Sequence, residues 1–501
     1  MVEELNSDPI KRRSPIRSKP AFRKPKLNVQ QPELLPRSID EMVDGQDACR
    51  LVVKLVKLLD LSSLRSVLFL EGAPNYPIEM MLWLEIFSKW DGVYSSRDVE
   101  KHCKHDVRYI WLCAGHTPNH STIWRFRRFL GDRLDALVED SVRLGKEAGL
   151  ESLGRVSIDG TRLPCAASQW RKFRDASDEA DHELTQKLED KREVPKAVAE
   201  KSSDPSSNES EATQEERASE VISKCKKVKK ERIALPSTDP DARTIITRQG
   251  HFIVGYNTQV IVDRDTDLIM SYNVTNQSSD FGLLEPTLAK HLGLYGELPE
   301  DLLADAGYDS PNNAHALAEI GIDGCISPKD RALFWSLDEK DRLICPMGNV
   351  AVYEDAFKRK GLLTTRLKVH ECGSCPLKKE CLAKEDSKYK TISFDARVNP
   401  AHWIRLRQKS RSPEGKERLK ERGKTIEFSF ACMKDRLGLR RLSMWGFAGA
   451  NIEVGIVALA LNLSVIGAKV GHATLEELLQ ALFVASKAVK LRIWCCQAVY
   501  T

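Results

Sequence analysis

Between residues 156 and 327 the sequence runs strand, strand, strand, helix, strand, helix, strand, and that order restricts the chain to a mixed sheet with helices on its faces. VSIDGTRL (156–163) is a short apolar strand that leaves an acid near its end. HFIVGYNTQVIVD and DLIMSYNVT follow over 251–275, separated by a turn at Arg264-Asp265-Thr266. A helix is predicted over about 281–292 and a strand at DLLADAG (301–307). Another helix starts near Ser310-Pro311 with proline in its first turn, and a last strand is GIDGCIS (321–327). The fold class is therefore α/β.

The flanks behave differently. Residues 38–150 read as all-helical, with apolar residues at three-to-four spacing in LVVKLVKLLD (51–60) and PIEMMLWLEIFSKW (77–90). His120-Ser121-Thr122 begins a helix that carries Arg125, Arg127 and Arg128 among Trp124, Phe126 and Phe129. Such a segment suits docking on DNA, and it equally suits an amphipathic core helix with a charged outer face. Net charge over the 501 residues is only +5, but residues 10–26 hold eight Lys or Arg and no acid. That basic, Pro-rich tail (1–37) is read as disordered; it is either the footprint of a polyanion partner or a solvated end. Residues 151–329 hold the first part of the sheet domain, interrupted by a charged insertion at 171–235. A cysteine-bearing insertion (330–410) and the C-terminal helices of the core (411–467) follow, then a helical tail (468–501). Within 411–467, a basic helix runs over about 415–436 and an apolar one over 450–467. The apolar one carries Asn451, Glu453 and Asn462 and is short for a bilayer, so it reads as a buried core helix and no membrane is implied. Thirteen cysteines, an odd number, after a polar opening suggest reduced thiols and a cytoplasmic protein.

The chemistry-bearing residues begin with Asp159, which precedes Gly160, and Asp305, which precedes Ala306-Gly307-Tyr308. Burying an acid in an apolar strand is costly unless a cation compensates. Two acids on neighbouring strands with a third from a helix make an oxygen cage suited to Mg²⁺, and two ions about 4 Å apart clamp the attacking and leaving oxygens of a phosphoryl displacement. Singly, each acid also reads as a turn residue. Asp263 reads as a turn residue and Asp280 as a helix cap; Tyr256, Asn257 and Gln259 either touch DNA or are structural. Cys345, Cys372, Cys375 and Cys381, with a C-x-x-C pair at the centre, have spacing suited to tetrahedral zinc. His370 is a substitute ligand, and the alternative is four reduced thiols in a small loop subdomain.

Five segments in series, SIDGTRLPCAAS (157–168), DPDARTIITRQGHFIVGYNTQVIVD (239–263), VTNQSSDFGLLEP (274–286), LADAGYDSPNN (303–313) and TIEFSFACMKDRLGLRRL (425–442), resemble the bacterial insertion-sequence transposases of the DDE class. Their order, together with residues 76–130 and the cysteine cluster, is similar to the insertion sequence 1182-like branch, and the likeness covers roughly 38–465. It implies a ribonuclease-H-like mixed-sheet catalytic core with an all-helical N-terminal domain. The family's three catalytic and metal-binding acids fall on Asp159, Asp305 and Glu427. The Arg and Lys of its Tyr–Arg–Glu–Lys signature fall on Arg422 and Lys434, while the Tyr position holds Leu419. Asn119 stands where the family commonly has an acid. Positive charge at Arg422, Lys434, Arg436, Arg440 and Arg441 suits phosphate clamping; with Arg125, Arg127 and Arg128, the residues Arg422 and Lys434 form the expected DNA-binding set.

The resemblance implies cleavage at the element's terminal inverted repeats and strand transfer to target DNA, with two Mg²⁺ or Mn²⁺ per site and one structural Zn²⁺ at the cysteines. It also implies a homodimer during synapsis and a place at the nucleoid. The competing expectation is a DNA-binding descendant of such an enzyme that has lost catalysis; retention of all three acids favours the active form.

Overall fold

The computed structural model describes residues 38–65, 76–152, 154–167, 173–175, 234–236, 238–246, 252–329, 335–359, 362–370, 372–382, 388–470 and 474–481. The basic tail, most of the charged insertion and the end of the C-terminal tail lie outside these residues.

The N-terminal part is helical: α1 (Ile39–Met42), α2 (Ala48–Lys57), α3 (Ser62–Arg65), α4 (Ile78–Trp90), α5 (Ser96–His105), α6 (Val107–Leu112), α7 (His120–Leu130) and α8 (Arg133–Glu147). Helix α7 starts where Asn119 accepts a hydrogen bond from Thr122 N at 2.8 Å, which makes Asn119 its cap.

The sheet then builds in chain order from β1 (Arg155–Pro164), with β2 (Phe173–Asp175) and β3 (Ala234–Pro236) as a separate pair, through β4 (Arg243–Ile246), β5 (Phe252–Asp263) and β6 (Ile269–Thr275). Helix α9 (Leu284–Tyr295), β7 (Asp301–Ala304), α10 (Pro311–Glu319) and β8 (Asp323–Ile326) complete it. Strand β5 lies antiparallel to β1 on one side and to β4 and β6 on the other. Strand β7 lies parallel between β1 and β8. The main order is β6-β5-β1-β7-β8, a mixed sheet. The parallel half requires crossovers, and α9 and α10 supply them.

The cysteine-bearing region carries β9 (Ser336–Leu337) and β10 (Leu343–Ile344), then a three-stranded sheet of β11 (Val352–Arg359), β12 (Leu362–Val369) and β13 (Lys390–Asp395). Helix α11 (Lys378–Cys381) lies between the last two strands. Helix α12 (Ala401–Arg411) packs on α10 and β8 and leads into α13 (Pro413–Arg422). That helix continues without a break through a π-helical turn (Gly423–Glu427), α14 (Phe428–Ala431) and a second π-helical turn (Cys432–Arg436).

Helix α15 (Gly446–Lys469) is the axle of the molecule. It is long and apolar enough to cross a membrane, yet 83% of its most apolar window is buried inside the fold, as expected for a core helix. It packs on α8, α4 and β6, so the N-terminal helices and the sheet share one hydrophobic core. Asn462 resolves the polar problem at its centre: it accepts from Ile269 N at 2.7 Å and donates to Ile269 O and to Ser141 Oγ, both at 2.9 Å, tying β6, α8 and α15 together. At the helix start, Asp239 and Asp241 receive the amides of Gly446 and Phe447, and Tyr256 donates to Asp239 at 2.7 Å.

Candidate active site

The register of the sheet brings two acids together. Ile158 of β1 lies opposite Ala304 at the end of β7, so Asp159 and Asp305, one residue further along each chain, emerge side by side. Asp159 is not near the end of its strand as the sequence suggested; β1 continues to Pro164 because β5 pairs with it along that whole length. What ends beside Asp159 is β7, and that leaves room for the Asp305 loop. Asp159 is 7% exposed. Burial, and next the charge of Asp305, push its carboxyl up to about 6, while Arg422 and the Gly160 amide act against them. Arg422 places a guanidinium nitrogen 2.9 Å from Asp159 Oδ2. Asp305 accepts from Gly307 N at 2.7 Å, which fixes the turn that follows it.

Glu427 comes to this region on the long helix from α13, whose π-helical turn packs on β1. In a π turn the hydrogen bond runs between residues five apart, and such turns inside α-helices are frequent at functional sites. Arg422 and Glu427 are five apart, so the turn draws them toward one face of the helix. The Glu427 carboxylate is exposed and folds back over Gly423. Among the described residues, the trios of donors gathered within 4.8 Å are elsewhere, so Asp159, Asp305 and Glu427 are not drawn together that closely. Lys434, in the second π turn, has its ammonium lowered by burial, with Asp435 and Asp159 opposing that shift. The segment after it returns to β1: Leu442 N bonds Pro164 O at 2.8 Å and Arg441 Nε bonds Cys165 O at 3.1 Å.

A further carboxylate belongs to the site. Asp280 does not cap α9, whose N-cap is Leu283. Its Oδ1 accepts from Asn257 Nδ2 at 2.8 Å and from Gln259 Nε2 at 3.0 Å. A β-carbon at Gly160 would collide with Asp280 Oδ1 and Gln259 Nε2, and one at Gly307 would stand 2.8 Å from Asp305 Oδ1 and 3.1 Å from Asp280 Oδ2. Asp280 therefore lies between the two glycines that follow the paired acids. Tyr308 donates to Gln259 Oε1 and extends the network beneath. Burial first, then the charges of Asp280, Asp159 and Asp305, raise the Tyr308 phenol. Tyr256, Asn257 and Gln259 are fully buried, which makes them supports of the site and of α15 and removes them as DNA contacts. Sequence held one signal of this: Asn257 and Gln259 are two residues apart, hence on one face of a buried strand, and two buried amides need an acceptor.

The second acid of the Asp305 loop, Asp309, has a different task. It accepts from Trp403 Nε1 at 2.6 Å and pairs with Arg407 at 2.6 Å, pinning the loop to α12.

The basic residues divide. Arg125 and Arg128 are exposed, and Arg128 lies over the Trp124 ring at 4.9 Å. Arg127 is a correction to the expected DNA-binding set: it is 5% exposed and pairs with the buried Glu85 at 2.9 Å, so it cannot reach a phosphate. Its position was readable, because Ile123, Phe126, Arg127 and Leu130 share the buried stripe of α7.

Cys345, Cys372, Cys375 and Cys381 line a single cavity of about 20 Å³ with Trp335 and Lys390. Burial, opposed by Lys390, raises the Cys381 thiol, and the other three cysteines add to the rise.

Two family models match the chain: "Transposase domain (DUF772)" over residues 37–129 and "Transposase DDE domain" over residues 344–466. No curated protein matches. Among solved structures, the chain is similar to a piggyBac transposase synaptic complex with hairpin DNA, at 9% identity and TM-score 0.30, over 89% of this chain and 80% of that one. The first family match covers the helices from α1 to α7; the second begins at the cysteine cavity and runs through the Glu427 helix into α15. The chain thus carries a transposase domain and a transposase DDE domain, the latter the domain of enzymes that cut and rejoin DNA in transposition.

Proposed function

We propose that Asp159, Asp305 and Glu427 are the catalytic carboxylates of this transposase. The observation that carries this reading is the side-by-side emergence of Asp159 and Asp305 from parallel neighbouring strands, with Arg422 of the Glu427 helix on Asp159. The strand order, three antiparallel strands followed by two parallel ones, supports a ribonuclease-H-like core. Two adjacent acids, one of them held out of water, form a donor set that calls for positive charge. That set fits divalent magnesium or manganese, two per site, with Asp159, Asp305 and Glu427 as the holders. When bound, the ions supply activation of a water or 3′-hydroxyl and stabilisation of the leaving oxygen.

The chain's own residues do the rest. Arg422 now neutralises Asp159 and exchanges that partner for a DNA phosphate as the site fills. Lys434 lies near enough to Asp159 for its charge to be felt, and serves the same strand. Asp280, fixed by Asn257 and Gln259, adds negative charge and keeps both glycine turns in place. Asp280→Asn retains the size of the side chain and an acceptor for the amides but removes the charge. It is expected to raise the magnesium concentration needed for half-maximal cleavage by about 10-fold or more, as loss of supporting groups does at metal sites. A magnesium titration that overlays the unmodified protein would remove Asp280 from the site.

The cysteine cavity fits one structural zinc: its size suits a single small occupant, and four cysteines line it. Bound there, zinc fastens the small sheet to α11. Cys372→Ser with Cys375→Ser is expected to lose one zinc per chain, read by elemental analysis; unchanged zinc content contradicts the assignment. Arg125 and Arg128 extend the DNA surface onto the N-terminal helices. The partners are the terminal inverted repeats and target DNA, and joining two ends calls for a homodimer in the synaptic complex. Such work places the protein at the nucleoid. Gel-shift and cleavage assays on repeat-ended DNA test the reading: specific binding without metal-dependent cleavage would instead indicate a DNA-binding descendant.

A further inference from the structure

Helix α10 follows the Asp305 loop, and α12 feeds the helix that bears Glu427. On the inner side the loop that leads into α10 is joined to α12 by the buried Asp309–Arg407 pair. On the outer side, His315 and Glu319 of α10 meet His402 at the start of α12. The donor atoms of these three side chains all lie within 4.8 Å of one another. The imidazole centroids are 5.5 Å apart, and His315 Nδ1 faces Glu319 Oε1 at 3.8 Å. That Nδ1 is buried and has no hydrogen-bond partner.

We infer that His315, Glu319 and His402 form a binding site for a divalent transition metal, zinc by ligand preference. Two imidazoles and a carboxylate suit zinc, and the histidines disfavour magnesium, which takes oxygen donors. Donors around a tetrahedral zinc stand roughly 3.3 Å apart, a contraction that side-chain torsions supply, since Glu319 is largely exposed. His315 and Glu319 also line a broad cavity of about 690 Å³, which gives an ion access. The other such trio in the described residues, Asp91, His102 and Asp106, differs in kind: Arg108 already binds both of its aspartates, at 2.7 Å each. At the His315 site the nearby Arg405 is taken by Asp341 at 2.6 Å. A metal here bolts α10 to α12 as a second tie besides the Asp309–Arg407 pair, and so fixes the Asp305 loop relative to the Glu427 helix.

The test is metal analysis of the untagged full chain, loaded with zinc and then with cobalt. His315→Gln and His402→Ala are each expected to bind one zinc fewer per chain than the unmodified protein. In the cobalt form they lose ligand-field absorption from the nitrogen and oxygen donors, while any thiolate-to-cobalt charge transfer from the cysteine cavity is unchanged. Equal zinc content and an unchanged cobalt spectrum in His402→Ala overturn the site. Glu319→Gln, on the surface, guards against misfolding of the histidine variants: roughly tenfold or greater weakening of this zinc is expected, and unweakened binding overturns the site.

Discussion

Asp159→Asn and Asp305→Asn are each expected to lower the rate of strand cleavage by about 10³-fold or more while DNA binding is retained, a loss of about 4 kcal/mol of transition-state stabilisation. The expectation rests on their geometry. The two carboxylates emerge from adjacent parallel strands, and the buried one is raised by burial and by its neighbour, so both are poised for cations. Amides of the same size keep the strand pairing and the turn at Gly307, which separates loss of chemistry from loss of fold. Glu427→Gln should behave likewise, with one difference: it lies on the exposed face of its helix, so no change in melting temperature should accompany the lost activity. Cleavage by either aspartate variant at the unmodified rate would remove that residue from the catalytic set. Single-turnover cleavage on repeat-ended DNA, with binding measured in parallel, gives the answer.

Arg127→Ala is expected to have the largest effect on stability, about 3–5 kcal/mol, because it strands the buried Glu85 carboxylate in the helical core. The pair is part of a buried charge group that also includes Lys89, whose ammonium is lowered to about 8, chiefly by burial and then by Arg127. Denaturant unfolding measures the loss. Arg125→Ala and Arg128→Ala provide the contrast: each is expected to leave stability unchanged and to lower the salt dependence of DNA binding by about one counterion. If Arg127→Ala instead kept full stability and lost DNA affinity, the residue would return to the DNA interface.

These cases show what the sequence could and could not disclose. The sheet was legible because alternating apolar strands and Gly- or Pro-marked turns are local signals, and Asp159 and Asp305 stood out as acids in apolar settings. Their side-by-side position depends on the pairing of Ile158 with Ala304, nearly 150 residues away along the chain, and no local pattern encodes it. Helix α15 was legible from its unbroken apolar run, and Asn462 fits it because β6 supplies both a donor and an acceptor. The π turns around Glu427 were not legible, since the switch from four- to five-residue hydrogen bonding has no composition of its own. Asp280 was misread as a cap because its partners, Asn257 and Gln259, come from a strand that precedes it by twenty residues or more. Arg127 resembles a DNA contact by residue type alone; its position on the apolar stripe of α7, where a charge needs a buried partner, decides its role.

A cleavage and joining assay decides whether Asp305 belongs to the catalytic pair. The purified protein and its Asp305→Ala variant would each be incubated with magnesium or manganese and DNA ending in the inverted repeats that flank its gene. Metal-dependent cuts at the repeat end and joined products are expected for the unmodified protein, and binding without either product for the variant. Equal cleavage by both proteins would contradict the assignment of Asp305, and with it the paired-carboxylate site described above.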